Sequence, residues 1–357
     1  MSGHRPRGGA PKARSGGKAP RKTTPPVAKA TAPAKPAVAP KAGRGVNSGH
    51  FLSLADLDHD GFTALLDLAV WLKARRRAGI EEDACRGRAL ALVFEKPSLR
   101  TRLSFEQAMV QLGGTVTYIR GEEVGIGTRE AVQDVARVLG RYYDGVMARV
   151  FRHDTVTGLA RWAGKPVING LSDTEHPCQA LADLLTVREH LGRIDGLKVV
   201  FVGDGNNVAR SLAHACRLAG SRMVLACPKA YAFAAAEAAA LGVEVVHDPV
   251  AAAKGAHVLY SDVWTSMGQE AEKAQRLRDF AGYQINEALL AHADGQCRIM
   301  HCLPAHRDEE ITDGAMEHPR SIVFDQAENR LHAQKAVLRM LLGREPAAAM
   351  AAARSAR

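Results

Sequence analysis

Apolar runs alternate with amphipathic helical patterns through the first half of this chain. The run Ala89–Phe94 has the length and continuity of a buried strand. Further strands are predicted at residues 115–119, 145–148 and 166–169, and helices at residues 58–77, 130–142 and 155–163. Because strands that alternate with helices form right-handed βαβ units, this half predicts a parallel sheet.

A second alternation follows a longer helical pattern at residues 177–190. Its predicted strands are residues 198–202, 223–226, 243–246, 257–261, 298–302 and 321–324, and its predicted helices lie near residues 208–218, 231–241 and 286–292. We therefore predict an α/β fold of two domains, each a parallel sheet flanked by helices, joined by the helix at 177–190. A last helical pattern at residues 326–342 predicts a C-terminal helix that packs back on the first domain.

Composition sets the expected boundaries of these parts. Residues 1–47 are rich in Lys, Pro, Ala and Gly and almost free of large apolar side chains, so we expect a disordered basic tail. The first domain is predicted at residues 48–190, the second at 191–325, the closing helix at 326–343 and a flexible C-terminal tail at 344–357. Residues 120–129, which are polar and rich in glycine, predict a mobile loop.

The positive charge of the chain is concentrated in its N-terminal tail. Residues 1–46 hold six Lys, five Arg and no acid, so with a total of +10 the remainder is near −1 (10 − 11). A solvated, nonspecific extension is the favoured interpretation of the tail, and contact with nucleic acid or another polyanion ranks second. A transit peptide ranks third, because the prolines break an amphipathic helix and serine is not abundant.

No feature of the sequence predicts secretion or membrane insertion. No apolar run approaches the ~20 residues that span a bilayer, and no apolar signal segment is present. Six cysteines lack metal-ligand or paired spacing, namely Cys85, Cys178, Cys216, Cys227, Cys297 and Cys302. This usage favours a reducing compartment, so we expect the cytoplasm, or an organellar matrix if the tail is a transit peptide.

The densest group of hydrogen-bond donors follows the predicted strand Ala89–Phe94. Pro97 disfavours helix before it, so the next helix should begin near Ser98, a good N-cap residue. Its first turn combines free backbone N–H groups with the hydroxyl of Thr101 and the guanidinium groups of Arg100 and Arg102. These donors predict a site for phosphate or another small dianion, although solvated arginines on a capped helix are the ordinary alternative. The apolar positions of this helix that can share a face are Leu103, Met109, Val110 and Leu112.

Other polar side chains follow later strands, where functional residues of open α/β sheets lie. Taken singly, each has an ordinary structural explanation: Arg149 as a surface residue, His176 as a cap and Asp262 as a turn residue. The dipeptide His301-Cys302 suggests a metal or a reactive thiol, but no second ligand stands at zinc spacing. Residues 203–207 lack the Gly-x-Gly-x-x-Gly pattern, so a dinucleotide site is disfavoured, whereas two adjacent amides there could hold an amino acid.

Five separated motifs, spread over roughly residues 51–342, resemble those of the aspartate and ornithine carbamoyltransferases. Residues 98–102 resemble the family's Ser-Thr-Arg-Thr-Arg motif, with Leu99 in place of the threonine. The family's His-Pro-x-Gln motif is matched by residues 176–179, and Arg330 matches a carbamoyl-phosphate arginine. Two further motifs resemble the ornithine enzymes in particular, namely Ser266-Met267-Gly268 after Asp262 and His301-Cys302-Leu303-Pro304.

The resemblance implies transfer of the carbamoyl group of carbamoyl phosphate to L-ornithine, giving L-citrulline and phosphate, with no metal or organic cofactor. It implies that the first domain binds carbamoyl phosphate and the second binds ornithine. The implied carbamoyl-phosphate ligands are Ser98, Leu99, Arg100, Thr101, Arg149, His176, Gln179, Cys302, Leu303 and Arg330. The implied ornithine ligands are Asn207, Asp262, Ser266 and Met267, and the implied catalytic group is Arg149, His176, Asp262 and Cys302.

The resemblance also implies a homotrimer with its sites at subunit boundaries. Family members commonly carry Gln or His in the loop at 120–129, where it reaches carbamoyl phosphate in the neighbouring subunit. That position is Gly125 here, so the contact is lost or made by another loop residue such as Arg129.

Four other functions remain open. A related transferase for aspartate, putrescine or an N-acylated ornithine would share the anion-binding half. A noncatalytic binding protein of the same fold would have damaged donor residues, and here only Leu99 and Gly125 depart from the family. A nucleic-acid-binding protein rests on the tail alone, and a dehydrogenase is disfavoured by the missing glycine pattern.

Overall fold

A computed structural model of the protein describes residues 49–266, 268–345 and 351–353. The predicted N-terminal tail, Met267 and most of the predicted C-terminal tail lie outside these residues. No helix in the described part of the chain combines the length and the apolar character needed to cross a bilayer.

The first sheet has four parallel strands in the order β2-β1-β3-β4. The strands are β1 (Ala89–Phe94), β2 (Thr115–Arg120), β3 (Gly145–Arg149) and β4 (Val167–Leu171). They alternate with α1 (His59–Arg77), α2 (Leu99–Val110), α3 (Gly121–Val124), α4 (Val132–Tyr142) and α5 (His153–Ala163). The central strands β1 and β3 are buried along nearly their whole length, which explains their continuous apolar runs.

The second sheet has five parallel strands in the order β7-β6-β5-β8-β9. The strands are β5 (Lys198–Val202), β6 (Arg222–Ala226), β7 (Glu244–Val246), β8 (Val258–Ser261) and β9 (Arg298–His301). The helices of this half are α7 (Asn207–Leu218), α8 (Ala235–Leu241), α9 (Pro249–Ala253), α10 (Lys273–Asp279), α11 (Glu287–Leu290) and α12 (Asp313–Met316). Short 3-10 turns occur at Leu54–Asp56, Lys229–Tyr231 and Glu270–Glu272.

Two long helices complete the fold, α6 (Pro177–Leu191) between the sheets in sequence and α13 (Val323–Leu342) at the C-terminal end. The helix α13 packs against α1, α2 and α6, which all belong to the first half of the chain. The prediction of two parallel sheets flanked by helices, with a last helix returning to the first half, is therefore confirmed. The exact domain boundaries stay a prediction.

Several local predictions were wrong, each for a physical reason. Residues 321–324 do not form a strand: Ser321 makes one isolated bridge to Ile299, and α13 begins at Val323, three residues earlier than predicted. Ile322 and Val323 are buried, and adjacent buried β-branched residues give the same sequence pattern as a short strand. The short helices α9, α10 and α12 have too few turns to give a periodic signal and were not predicted. The loop at 120–129 contains α3 and a bridge between Ile126 and Glu130.

The predicted apolar face of α2 is also partly wrong. Met109 and Leu112 are buried, but Leu103 is 47% and Val110 55% exposed. The core-facing side chain that the prediction missed is Phe105, which is fully buried. The helix therefore carries two apolar faces, of which one lies in the core.

Candidate active site

The predicted site residues follow the carboxyl ends of strands in both parallel sheets. In the first sheet Arg149 ends β3, and the turn that begins α2 follows β1. In the second sheet Asp262 follows β8 and Cys302 follows β9. The pKa of Arg149 is perturbed first by burial and then by four charged groups, those of Arg330, Arg100, Asp262 and Cys302. Arg149 is therefore close enough to side chains from both halves of the chain to interact with their charges.

The turn that begins α2 has the geometry of a helix N-terminal anion site. Ser98 is the N-cap, and its hydroxyl accepts the backbone N–H of Thr101 at 3.3 Å. The two hydroxyls of Ser98 and Thr101 lie 3.1 Å apart. The guanidinium of Arg100 is half-buried, and burial lowers its pKa. The helix dipole, the free N–H groups and a half-buried cation can together attract an anion to this turn.

Two residues of this motif point away from the turn. Arg102 was predicted among the donors, but its guanidinium pairs with Glu106 at 2.8 Å and lies 4.1 Å from the ring centre of Tyr118. Because residues two apart on a helix face different directions, Arg100 and Arg102 cannot both line the turn. The side chain of Leu99 is 68% exposed, so at this position the backbone alone is available to the anion.

Three arginines concentrate positive charge at the turn. Burial and the nearby charges of Arg330 and Arg100 lower the pKa of Arg149 to about 10. Burial likewise lowers the pKa of Arg330. The Nε atoms of Arg149 and Arg330 are buried and have no partner among the described residues. Such clustered, desolvated cations are costly unless an anion neutralises them, so the site is complementary to a dianion.

A chain of hydrogen bonds joins the turn to the joining helix α6. Arg330 donates through Nη2 to the hydroxyl of Thr101 at 2.9 Å and through Nη1 to the Oε1 atom of Gln179 at 2.5 Å. Gln179 in turn donates through Nε2 to Asp183 at 2.8 Å. All four side chains are buried, so this chain holds its members in fixed orientations.

His176 is buried at the start of α6 and stays neutral. Burial, with the adjacent charges of Arg330 and Arg149, lowers its pKa well below the ordinary value. Its backbone N–H donates to the hydroxyl of Ser211 at 2.8 Å, which fixes the residue to α7. The Nδ1 atom has no partner among the described residues. A neutral imidazole of this kind can donate one hydrogen bond to a carbonyl oxygen.

Asp262 and Cys302 form the acidic half of the site. The thiol of Cys302 donates to Oδ1 of Asp262 at 2.9 Å, and the side-chain amide of Asn206 donates to Oδ2 at 2.9 Å. Burial and the carboxylate of Asp262 raise the pKa of Cys302 well above its ordinary value. Cys302 is therefore a thiol rather than a thiolate, and it adds no negative charge beside Asp262.

The remaining predicted ornithine ligands are less directly placed. The side-chain amide of Asn207 donates to the carbonyl of Ser172 at 2.6 Å, whereas its neighbour Asn206 contacts Asp262. Ser266 is half-buried, and its backbone N–H donates to Gln269 at 3.0 Å. Met267 lies outside the described residues.

Leu303 is held in an uncommon backbone conformation beside Cys302. Its φ is 58°, in the left-handed region, and its N–H donates to Nδ1 of His301 at 2.9 Å. The Nε2 atom of His301 therefore carries the proton and lies 3.1 Å from the buried carboxylate of Glu310. This buried pair fixes the backbone on which Leu303 and Cys302 stand.

The loop at 120–129 gives a structural reason for Gly125. Its φ is 62°, and a Cβ there would lie only 2.7 Å from Cβ of Arg129. A Gln or His at this position would require a different loop conformation. Arg129 is exposed, so it remains available to a neighbouring molecule.

The sequence interpretation missed Asp183, Tyr260 and Gln326, which lie behind the site. Asp183 stands four residues after Gln179 on α6, and that helical spacing was the one available signal. Lys96 was also passed over; burial and the charge of Arg149 lower its pKa.

One group in the described residues has ligand atoms close enough for a metal ion, namely His306, Glu309 and Glu310, within 4.8 Å of one another. One oxygen of each carboxylate already has a protein partner. Lys273 pairs with Glu309 at 2.7 Å, and Oε1 of Glu310 accepts the backbone N–H of His306 at 2.6 Å. Oε2 of Glu309, Oε2 of Glu310 and Nδ1 of His306 have no hydrogen-bond partner among the described residues. Because the other carboxylate oxygens are already engaged within the protein, we assign no metal to the group.

Comparison with known proteins identifies two matching family models. The model described as "Aspartate/ornithine carbamoyltransferase, carbamoyl-P binding domain" matches residues 49–189. The model described as "Aspartate/ornithine carbamoyltransferase, Asp/Orn binding domain" matches residues 195–341. Together they span most of the chain, and the gap between them, at residues 190–194, includes the end of α6.

Named relatives agree with these matches. The chain is 55% identical over 291 residues to ornithine carbamoyltransferase of Thermus thermophilus, a match that covers 80% of this chain and 96% of that relative. It is 50% identical over 301 residues to the enzyme of that name from Archaeoglobus fulgidus, covering 83% and 98%. The solved structure of ornithine carbamoyltransferase from Pyrococcus furiosus superposes with a TM-score of 0.79 at 47% identity, covering 83% of this chain and 97% of that one.

Proposed function

The chain belongs to the aspartate/ornithine carbamoyltransferase family, and we propose that it transfers the carbamoyl group of carbamoyl phosphate to the δ-amine of L-ornithine. The products are L-citrulline and phosphate. The observation that carries this proposal is the juxtaposition of a three-arginine anion site with the Asp262–Cys302 pair, because the substrates are a dianion and a cationic amino acid.

Carbamoyl phosphate is assigned to the positive half of the site. The phosphate would rest on Ser98, the backbone of Leu99, Arg100, Thr101 and Arg330. This assignment is supported by the N-terminal geometry of α2 and by the unpartnered Nε atom of Arg330. The buried arginines have no need to reorganise, so their donors are already oriented when the anion arrives.

The carbamoyl group is assigned to the residues beside the phosphate. Arg149 and neutral His176 would donate to its carbonyl oxygen, while Oε1 of Gln179 and the backbone of Leu303 would accept from its amide. As the δ-amine attacks the carbonyl carbon, negative charge grows on that oxygen, and fixed donors stabilise it. The carbon–oxygen bond to phosphate then breaks, and the proton lost by the attacking nitrogen balances the release of hydrogen phosphate.

Ornithine is assigned to the acidic half. Asp262 would pair with the α-ammonium group, and Asn207, Ser266 and Met267 would complete the amino-acid site. Cys302 would line the path of the δ-amine as a neutral thiol. Orientation of two bound substrates is the main contribution expected of the protein, since the acyl donor is already activated.

We also propose a homotrimer with its sites at subunit boundaries. Leu99, Leu103 and Val110 form an exposed apolar stripe along α2, beginning at the anion turn itself. A second copy of the chain packed on this stripe would remove it from water and would lie next to the bound anion. Arg129, on the exposed loop, is the residue of this chain best placed to take the role that Gly125 cannot.

The cytoplasm and arginine biosynthesis are proposed as the setting of the reaction. All six cysteines are free, which suits a reducing compartment. Citrulline is an intermediate on the way from ornithine to arginine, so the biosynthetic direction is the simpler assignment. The basic tail stays assigned as a solvated extension, with polyanion contact as the second possibility.

A citrulline assay tests the proposed reaction. The purified chain is given carbamoyl phosphate with ornithine, putrescine, aspartate or N-acetylornithine as the acceptor. We expect turnover with ornithine to exceed the others by at least about 100-fold. N-acetylornithine lacks the free α-ammonium group for Asp262, putrescine lacks the α-carboxylate for the rest of the amino-acid site, and aspartate lacks a δ-amine. Equal turnover with putrescine would refute the assignment of the α-amino acid site, and no turnover with any acceptor would refute the reaction.

A further inference from the structure

Asp183 is a buried carboxylate that is not among the residues assigned to either substrate. It is fully buried on α6, and three side chains donate to it. Gln179 and Gln326 each donate through Nε2 to Oδ1 at 2.8 Å. The hydroxyl of Tyr260 donates to Oδ2 at 2.9 Å. One carboxylate thus connects α6, α13 and β8.

The orientation of the Gln179 amide depends on this carboxylate. A glutamine can present either its oxygen or its NH₂ group in a given direction, and the two differ little in size. An ionised carboxylate only accepts, so it selects the orientation in which Nε2 faces Asp183. Burial raises the pKa of Asp183 to about 6, so the group is still mainly ionised at neutral pH. The oxygen of Gln179 then faces Arg330, from which it accepts at 2.5 Å.

The same carboxylate orients a second amide on the other side of the site. With its Nε2 held by Asp183, Gln326 presents Oε1 to the backbone N–H of His301 at 2.9 Å. His301 directly precedes Cys302. If the carboxylate were absent, two buried NH₂ groups would be unpaired, and each amide would gain by moving toward another acceptor.

From this geometry we infer that Asp183 is a positioning residue for carbamoyl transfer, acting through the Gln179 amide that accepts from the carbamoyl NH₂ group. The inference rests on the proposed function and adds a residue to it. The property that matters is the acceptor geometry of the carboxylate, because its negative charge is not needed to orient an amide. An asparagine at this position could point its side-chain oxygen toward Gln179 and Gln326, as Oδ1 of Asp183 does. Its NH₂ group would then face Tyr260, whose hydroxyl can accept a hydrogen bond as well as donate one.

Four proteins test the inference: wild type, Asp183→Ala, Asp183→Asn and Tyr260→Phe. For Asp183→Ala we expect the KM for carbamoyl phosphate to rise about 30-fold, the equivalent of about 2 kcal/mol for an unpaired buried donor at 1.4 kcal/mol per tenfold. Asp183→Asn should stay within about 3-fold of wild type, since its hydrogen bonds are retained. Tyr260→Phe should lower the melting temperature and leave this KM unchanged, because Gln179 keeps its partner.

Product inhibition by inorganic phosphate provides an internal control. Phosphate lacks the carbamoyl NH₂ group, so its inhibition constant should change less in Asp183→Ala than the KM for carbamoyl phosphate. If the alanine variant does not fold, Asp183→Ser replaces it, because a hydroxyl one bond shorter cannot reach Gln179. A folded Ala or Ser variant with a wild-type KM would overturn the inference, as would an Asn variant as impaired as the alanine variant. A wild-type protein without citrulline formation would instead overturn the proposed function.

Discussion

Arg100 and Arg102 stand two residues apart on α2, and replacing each by alanine tests the anion site against a matched control. Arg100 is half-buried at the turn, whereas Arg102 is bound to Glu106 and stacked on Tyr118. Both changes remove one guanidinium from the same helix. Only Arg100→Ala removes a donor from the proposed phosphate site.

The expected loss follows from one charge-assisted contact. A hydrogen bond between ionised partners contributes about 1.5–3 kcal/mol, which corresponds to about 10- to 150-fold in the KM for carbamoyl phosphate at 1.36 kcal/mol per tenfold. Stability should hardly fall, because a cation in the first turn opposes the helix dipole. Arg100 also lowers the pKa of Arg149, so its removal relieves repulsion between buried cations. We therefore expect a melting temperature within about 2 °C of wild type.

Initial rates of citrulline formation, measured against carbamoyl phosphate at saturating ornithine, give the comparison. Arg102→Ala should retain the wild-type KM, and Arg100→Lys should fall between the two, since a lysine keeps the charge but not the planar fork. A KM for Arg100→Ala within 2-fold of wild type, or equal losses for both alanine variants, would refute the assignment of the turn.

Three further outcomes are expected. The δ-amine of free ornithine resembles a lysine with a pKa of about 10.4, so activity at subsaturating ornithine should rise with pH between about 7 and 9, at first close to tenfold per unit. The Cys302→Ser variant should show the same rise of activity with pH, because burial and Asp262 hold the pKa of the thiol well above its ordinary value. A wild-type activity that does not change over this pH range would contradict the requirement for a neutral δ-amine. Deletion of residues 1–46 should leave kcat and sedimentation as trimers unchanged, because that tail offers no apolar surface to a core. Loss of turnover in the shortened protein would show that the tail contributes to activity. Sedimentation velocity should give three chains per particle, and Leu103→Lys should shift it toward single chains; a fully active wild-type monomer would exclude shared sites.

The positions of the residues that follow strands could be predicted from the sequence because a parallel sheet has all its strand ends of one kind at the same edge. Once β1, β3, β8 and β9 are recognised as parallel strands, the residues that follow them must lie at the carboxyl edges of the sheets. Arg149, Asp262 and Cys302 were predicted in this way as site residues, with the family motifs to select them from other strand ends. Their hydrogen bonds and pKa shifts could not be derived, since these depend on side chains from distant segments such as Arg330.

The apolar pattern of α2 shows where sequence reasoning fails. At about 100° per residue, Leu99, Leu103 and Val110 fall on one narrow stripe, and the buried Phe105 and Met109 fall on another about 120° away. A helix with two apolar faces is compatible with either face in the core, so periodicity alone could not choose. The second face is explained if another chain covers it, which a single sequence does not reveal. Asp183 was missed for a related reason: a buried acid in an apolar helix carries no pattern of its own.

The perturbed pKa values of Cys302 and His176 limit how these two residues can accept the proton that ornithine must lose. Cys302 is held as a thiol by burial and by Asp262, so it is a poor base. His176 is neutral, but burial and the neighbouring arginines that lower its pKa make it a weak base as well. Neither can drive deprotonation of an amine whose pKa is about 10.4. We therefore expect the first proton to be lost to solvent as ornithine binds and the second to pass to the departing phosphate, whose oxygen becomes basic as its bond to carbon breaks.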